Sequence, residues 1–128
     1  MILLDTGVVI ELRDGNLDTL AKAADADDTF GISIITRVEL EAGLVRRPDL
    51  RPAREARLNS LLADVRVFAL QSGELSAYSA ILAHAGFSRR KLLDRLIAAT
   101  ALARGLPLAT LNPGDFADVA GLEVVNWH

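Results

Sequence analysis

Four acidic residues of this chain stand next to, or inside, short apolar segments. Asp5 directly follows the apolar run "ILL", and Glu39 comes shortly after "FGISII". Asp94 interrupts the otherwise apolar stretch that follows "RRK", and Asp115 comes soon after "PLATL". Carboxylates gathered in one pocket repel each other and raise each other's pKa unless a cation is present. If the fold brings these four together, the chemistry to expect is that of a metal centre.

The residue types indicate which cation such a centre would take. The chain has no cysteine, and its two histidines are His84 and His128, so a thiolate or histidine-rich zinc site is not expected. Carboxylate oxygens suit hard cations, and Thr6 and Asn112 add uncharged oxygens beside two of the acids. The sequence therefore predicts Mg²⁺ or Mn²⁺.

The elements that would position these acids follow from the hydrophobic pattern. Short apolar runs predict five strands, at residues 2–4, 30–35, 66–70, 107–111 and 122–126. Helical patterns lie at residues 7–13, 17–26, 37–47, 51–64, 73–85 and 92–104. Strands that alternate with helices predict an α/β fold with a parallel sheet covered on both faces. We expect a single domain over residues 1–128.

The predicted sheet brings the four acids to one edge. Ligands bind such sheets at the carboxyl ends of the strands, near the switch in strand order. Asp5 follows the first strand, Glu39 lies in the first turn after the second, and Asp115 follows "PLATL". Asp94 opens the helix that runs back toward that strand. Glu41 lies about 200° round the helix from Glu39, so we expect it to face solvent.

Each acid also has a purely structural interpretation. Asp5 could end its strand by binding local backbone amides. Asp94 could cap its helix or complement the helix dipole, and Asp115 in "NPGD" could be an ordinary turn residue. The pattern "TRVE" fits a capping box with Thr36 as the N-cap and Glu39 at N3. The common placement at one edge favours function over four unrelated structural roles.

Composition excludes several classes of protein. Hydrophobic residues make up 51% of the 128 residues, which predicts a large core and excludes a disordered chain. The net charge of −3 excludes a generally basic nucleic-acid binder. No run approaches the roughly 18 apolar residues of a membrane span. The lack of cysteine favours a reducing cytoplasm, where we expect the protein to act.

Four segments of the chain resemble the PIN-domain family, in particular the VapC-type toxins of bacterial toxin–antitoxin pairs. They are "LLDTGVVIEL", "TRVELEAG", "LLDRLIAATALARGLPLATLNPGDF" and "LEVVN". The resemblance covers nearly the whole chain in the right order and spacing. The family pattern places its acids on Asp5, Glu39, Asp94 and Asp115. This chain departs from it at Gly7, where the family usually has Asn.

The resemblance implies a Mg²⁺- or Mn²⁺-dependent ribonuclease with a three-layer PIN-like fold around a five-stranded parallel sheet. Asp5, Asp94 and Asp115 would hold the metal. Glu39 would bind it through water or act as base toward the attacking water. Such toxins cut RNA and slow translation and growth until a cognate antitoxin of the VapB type inhibits them. They usually form homodimers, which implies a heterotetramer or a larger complex with the antitoxin.

Basic and apolar residues near the acids suggest where partners bind. Arg89, Arg90 and Lys91 precede Asp94 and are expected to contact the RNA backbone. A second basic group is equally compatible with solvated helix faces; it comprises Arg46, Arg47, Arg51, Arg54 and Arg57. The helix at 73–85 is expected to pair two copies of the chain. An exposed apolar groove for an antitoxin helix is expected at Val9, Leu12, Leu40 and Leu44.

Three alternatives remain open. The first is a Mg²⁺-dependent phosphohydrolase of another substrate; one of the haloacid-dehalogenase type would want a second acid two places after Asp5, where this chain has Gly7. A response-regulator receiver domain would want a lysine late in the sheet, but Lys22 and Lys91 lie on helical segments. The third alternative is a PIN-like module that binds partners without cutting RNA.

Overall fold

The computed structural model describes residues 1–128 and shows an α/β fold around one parallel sheet. The strands are β1 Ile2–Leu4, β2 Phe30–Ser33, β3 Arg66–Phe68, β4 Leu108–Thr110 and β5 Val124–Asn126. The helices are α1 Thr6–Arg13, α2 Leu17–Ala26, α3 Ile34–Arg46, α4 Arg51–Leu62, α5 Ser72–Ala85 and α6 Leu92–Arg104. A 3₁₀ turn covers Pro113–Phe116. None of the helices has the length and apolar character needed to cross a membrane.

The order of the strands creates the edge at which a site was expected. The sheet runs β3-β2-β1-β4-β5, and every neighbouring pair is parallel. The chain adds β2 and β3 on one side of β1 and then returns to add β4 and β5 on the other. The switch in strand order therefore lies at β1, and ligands of such sheets bind beyond the carboxyl end of the strand at the switch. The predicted fold class, a five-stranded parallel sheet with helices on both faces, is confirmed.

The three layers follow from the alternation of side chains along the strands. Leu3 and Leu4 are both fully buried but belong to different hydrophobic clusters, one on each face of the sheet. The Leu3 cluster includes Phe68, Ile97 and Phe116 and lies against α5 and α6. The cluster around Leu4 packs α1, α3 and α4 on the opposite face. Helices on both faces therefore hold β1 and the residue that follows it in a fixed position.

The start of α3 differs from its prediction. The helix begins at Ile34, three residues earlier than expected, with Ser33 as its N-cap. The Ser33 hydroxyl accepts a hydrogen bond from the Ile35 amide at 3.1 Å. The predicted capping box is therefore wrong, because Ser33 at the end of β2 already caps the helix and Thr36 is buried within the first turn.

Helix α6 ends as its sequence predicts but does not begin with an acidic cap. Gly105 closes it at φ +64°, a left-handed conformation that favours glycine. Lys91 occupies the N-cap position without a side-chain hydrogen bond to the helix, and Asp94 lies within the first turn. The capping interpretation of Asp94 is therefore wrong, whereas its place near the positive end of the helix dipole remains compatible with the structure.

The predicted apolar groove is also wrong. Its four residues are all buried in the cluster around Leu4, and they are Val9, Leu12, Leu40 and Leu44. Helices α1 and α3 turn these side chains inward against α4 and the sheet. Helix α3 instead leaves other apolar residues exposed, and these are Ile34, Val38 and Val45. The exposed apolar surface of α3 therefore lies on the side of the helix away from Leu40 and Leu44.

Candidate active site

Asp5 lies where β1 ends and α1 begins. Its Oδ1 accepts a hydrogen bond from the Thr6 amide at 2.8 Å, so the residue caps α1. Its Oδ2 accepts a bond from the Thr110 hydroxyl, also at 2.8 Å, at the end of neighbouring β4. Burial raises the pKa of the Asp5 carboxyl; the two hydrogen bonds oppose this, and Glu39 and Asp115 add to the rise. The carboxylate is therefore held rigidly at the switch point, within the field of two other acids.

Glu39 reaches the same edge of the sheet from α3. The Thr6 hydroxyl donates a hydrogen bond to Glu39 Oε1 at 2.8 Å. The same hydroxyl lies 3.0 Å from that of Thr36, which is buried. Glu41 points away, as predicted: it is exposed and pairs with Arg37 at 3.3 Å. The two acids of α3 therefore have different environments, and Glu39 alone lies beside Asp5.

The carboxylate of Asp94, like that of Asp115, has no partner within the chain. Asp94 is half-buried in the first turn of α6, and its carboxylate makes no hydrogen bond or ion pair within the chain. Burial is the largest cause that raises the pKa of Asp94 to about 6, with further contributions from Asp5 and Asp115. Lys91 acts in the opposite direction. An unpaired, half-buried carboxylate among other acids is a candidate ligand for a cation.

Asp115 and Asn112 complete the set from the loop after β4. Asp115 is exposed on the 3₁₀ turn, which its own amide helps to form by donating to the Asn112 carbonyl at 3.0 Å. The side-chain amide of Asn112 is exposed and makes no hydrogen bond within the chain. Asp115 acts electrostatically on both Asp5 and Asp94. The fold therefore brings all four predicted acids to one edge of the sheet.

The donor set fits a hard divalent cation in its chemistry. Three of the carboxylates, those of Asp5, Asp94 and Asp115, are electrostatically coupled, and such coupling is relieved by a cation. Oxygen donors without histidine or cysteine suit Mg²⁺ or Mn²⁺. No three acidic side chains lie close enough together in this structure to hold an ion without moving. The carboxylates would therefore have to close on the ion, and water would complete its coordination, as is usual for Mg²⁺.

Two polar residues of the site were not predicted. Thr110 is the last residue of β4, and Asp5 follows the last residue of neighbouring β1. The Thr110 hydroxyl donates a hydrogen bond to Asp5 and so fixes its carboxylate. Thr100 donates to Ser33 Oγ at 3.1 Å and so connects α6 to the end of β2. The signal was present for Thr110, because a polar residue that ends a buried strand lies at the ligand-binding edge. Thr100 had no such signal, since threonine is common on buried faces of helices.

The basic residues near Asp94 divide into two kinds. Arg89 and Arg90 are exposed just before α6. Lys91 instead forms an ion pair with Asp118 at 3.1 Å. In the other predicted basic group, Arg47 pairs with Asp49 and Arg51 pairs with Glu55. The remaining arginines of that group, which form no ion pair, are Arg46, Arg54 and Arg57.

Comparison with known proteins gives the family. The PIN domain matches residues 2–122. The chain belongs to the PIN-domain family. It is 37% identical to the plasmid stability protein StbB of Pseudomonas syringae pv. tomato, over an alignment that covers 100% of this chain and 99% of that protein. The resemblance found in the sequence is thus confirmed over nearly its whole length.

Solved structures of VapBC proteins share the fold. VapBC2 from Rickettsia felis, solved bound to a DNA fragment from its promoter, contains a chain with TM-score 0.84 and 22% identity, with 100% of both chains covered. VapBC-5 from Mycobacterium tuberculosis, a member of the VapBC family of toxin–antitoxin systems, contains one with TM-score 0.73 and 29% identity, covering 98% of this chain and 97% of that one. The PIN-like architecture is therefore shared with toxin–antitoxin complexes.

Proposed function

We propose that this chain, acting as a single PIN domain, is a Mg²⁺- or Mn²⁺-dependent endoribonuclease and the toxin of a type II toxin–antitoxin pair. One observation carries the enzymatic part: Asp94 is unpaired and half-buried beside Asp5 and Asp115, at the switch point of a PIN fold. A chain that only bound partners would gain nothing from this arrangement, because mutual repulsion destabilises it. The similarity to chains from toxin–antitoxin complexes supports the toxin role.

The residues divide the work of phosphodiester hydrolysis. Asp5, Asp94 and Asp115 would hold the divalent ion, with Asp5 fixed by Thr6 and Thr110. When bound, the ion stabilises the negative charge that develops on the phosphate and makes water a better nucleophile.

Glu39 is placed to take the proton from the attacking water. Its Oε1 already accepts from the Thr6 hydroxyl, which orients the carboxylate, while Oε2 has no hydrogen bond within the chain. As the water oxygen bonds to phosphorus, one water proton would pass to Oε2 and the bond from phosphorus to the leaving ribose oxygen would break, with that oxygen taking a proton from solvent. Asn112 is available to hydrogen-bond the RNA beside the scissile phosphate.

The RNA backbone would approach across the start of α6. Arg89 and Arg90 are exposed there and form no ion pair, so they are free to contact phosphates. Lys91 is a weaker candidate because Asp118 already binds its ammonium group. A few surface cations beside an acidic centre are compatible with the overall charge of −3.

The partners we propose are a VapB-type antitoxin and a second copy of the chain. The antitoxin would lay an apolar helix along the exposed face of α3 and reach the acids with an arginine, whose guanidinium pairs with carboxylates. The second copy would pack against α5, where Leu70, Leu75 and Tyr78 line a mainly apolar cavity of about 480 Å³. Two copies related by twofold symmetry would use this surface reciprocally.

Cleavage of single-stranded RNA by EDTA-treated protein tests the proposal. We expect no cleavage without metal, cleavage after Mg²⁺ or Mn²⁺ is added, and none with Asp5→Asn at any metal concentration. A folded, antitoxin-free protein that cleaves no RNA with either metal would contradict the enzymatic part and favour a partner-binding module. Cleavage of a small phosphomonoester but not of RNA would instead indicate a different phosphohydrolase.

A further inference from the structure

Asp118 connects the turn that carries Asp115 to the helix that carries Asp94. Lys91 donates from Nζ to Asp118 Oδ2 at 3.1 Å, and Arg95 donates from Nη2 to the same oxygen at 2.9 Å. The two cations lie on α6 and its N-cap, on either side of Asp94 in the chain. A single carboxylate oxygen thus holds the start of α6 against the loop that follows β4.

Arg95 is fixed from two sides. Besides Asp118, its Nη1 binds the Gly86 carbonyl at 2.6 Å, and the residue is only 3% exposed. The pair nevertheless leaves Arg95 Nε and Asp118 Oδ1 buried without a hydrogen bond. Unpaired buried polar atoms destabilise a fold. The hydrogen bonds from Arg95 and Lys91 nevertheless hold the pKa of the Asp118 carboxyl below its usual value, so the cluster also stabilises the folded state. A further effect on the acids is therefore distinguished by measuring metal binding beside stability.

The segment between Asp115 and Asp118 transmits position from one acid to the other. It is short and turned, and Val119 donates to the Phe116 carbonyl at 3.1 Å. The Phe116 side chain is buried in the same cluster as Ile97 of α6. Movement of Asp118 relative to α6 would therefore also move Asp115.

We propose that the Lys91–Asp118–Arg95 ion cluster fixes the separation between Asp94 and Asp115 and thereby sets the affinity of these acids for a divalent cation. Without an ion, the two carboxylates repel each other and would tend to move apart. The cluster opposes that movement, so the two carboxylates have to move less when an ion binds. Asp118 and Arg95 are positioning residues in this account, which rests on the metal-dependent function proposed above.

The other end of α6 offers a matched control. There Arg104 donates to Glu74 Oε1 at 2.8 Å, and Glu74 is 2% exposed. This pair also joins α6 to a neighbouring element, in this case α5. It lies about 15 Å along the helix from Asp94, by the rise of an α-helix. Loss of either pair should lower stability, whereas only loss of the Asp118 pair should change the separation between Asp94 and Asp115.

Calorimetric titration with Mn²⁺, together with the melting temperature of each metal-free protein, tests the inference on the full chain. We expect Asp118→Asn and Glu74→Gln both to lower the melting temperature. Asp118→Asn alone should weaken Mn²⁺ binding, by about 10- to 100-fold, as is typical when a residue that orients metal ligands is lost. Wild-type affinity in a folded Asp118→Asn protein would overturn the inference. If that variant does not fold, Arg95→Lys, which keeps the charge but loses the guanidinium fork, should show the same loss.

A charge-balanced variant separates positioning from simple attraction. Asp118→Asn also removes a negative charge that attracts Mn²⁺ from a distance. Lys91→Gln combined with Asp118→Asn restores the local net charge but not the connection. We expect binding to stay weak in this double variant, and recovery to wild-type affinity would overturn positioning. A wild-type protein that binds no Mn²⁺ would overturn the proposed function and this inference with it.

Discussion

The hydroxyl of Thr6 donates a hydrogen bond to Glu39 Oε1 at 2.8 Å and so joins the first turn of α1 to α3. Thr6 follows Asp5 directly, and its amide binds the Asp5 carboxylate. One residue therefore orients two acids of the site, one through its backbone and one through its side chain. This relationship makes Glu39 the acid whose charge and structural role are easiest to separate.

Glu39→Gln should abolish most RNA cleavage with little change in stability. Glutamine retains an oxygen that can accept from Thr6, so the connection between helices survives, but it cannot take a proton from water. We expect at least a 100-fold lower cleavage rate, since general base catalysis contributes about 10²–10⁴-fold. Glu41→Gln is the control, because Glu41 is exposed and pairs only with Arg37. Equal effects at the two positions would mean that the wrong face of α3 was assigned.

Asp94→Asn should raise the melting temperature of the metal-free protein at pH 7 while abolishing cleavage. The folded pKa of about 6 lies above the ordinary value of 3.8, so the folded state binds more protons than the unfolded state between about pH 4 and 6. Stability is lost as the pH rises through this window, and asparagine removes that loss. The gain over wild type should therefore be present at pH 7 and shrink toward pH 4.

The opposite sign would support the helix-dipole interpretation of Asp94. A carboxylate that stabilises the N-terminus of α6 would make Asp94→Asn less stable than wild type at pH 7. Melting temperatures of both proteins, measured in EDTA at several pH values, distinguish the two. A folded variant that is less stable at pH 7 and still cleaves RNA would remove Asp94 from the site.

Gly7→Asn should fold and should increase the rate of RNA cleavage. A Cβ atom at Gly7 would lie 3.8 Å from Leu111 Cδ1, which is ordinary contact. The position is helical, so a side chain is not strained there and also reduces the flexibility of the unfolded chain. The asparagine would add a polar group two residues after Asp5, where the family usually has one. A slower enzyme with an unchanged melting temperature would show that this chain's site is adapted to glycine.

Val45→Glu should weaken the antitoxin complex without unfolding the toxin. Val45 is 64% exposed on α3, whereas its neighbour Leu44 is 2% exposed. A charge at the exposed position would oppose an apolar partner helix, while Leu44→Glu would bury an unpaired charge and lower the melting temperature strongly. Co-purification with the antitoxin and sedimentation measure the two contacts separately. If Val45→Glu instead splits the proposed homodimer and leaves the antitoxin complex intact, the antitoxin surface and the dimer surface have been assigned the wrong way round.

Much of the fold and the position of the acids could be predicted because parallel sheets impose strong geometric rules. Residues 2–4, which precede Asp5, are all apolar. Both faces of a strand there are therefore apolar, which is typical of a buried strand in a parallel sheet. The positions of the strands define the carboxyl edge of the sheet. Asp5 and Asp115 follow strands in the sequence, so their place at that edge could be predicted. Helical periodicity then separated Glu39 from Glu41 correctly, even though the start of α3 was misplaced.

The errors arose where local patterns competed. Ser33 and Thr36 both resemble N-caps, and only packing decides that Thr36 is buried against Thr6. The apolar stripe of α3 shows that one side of the helix is buried, but not that both Leu40 and Leu44 lie on it. The ion cluster at Asp118 joins residues distant in sequence, so no local pattern could reveal it.

Calorimetric titration of EDTA-stripped wild-type protein with Mn²⁺ tests the central claim most directly, because it asks whether the acids hold an ion before any RNA is involved. Near pH 6 we expect binding accompanied by proton release, since Asp94 is then about half protonated and must ionise to bind metal. Comparing buffers with different heats of ionisation measures that release, and Asp94→Asn should reduce both the release and the affinity. No heat, together with no rise in melting temperature at millimolar Mn²⁺ or Mg²⁺, would contradict the account.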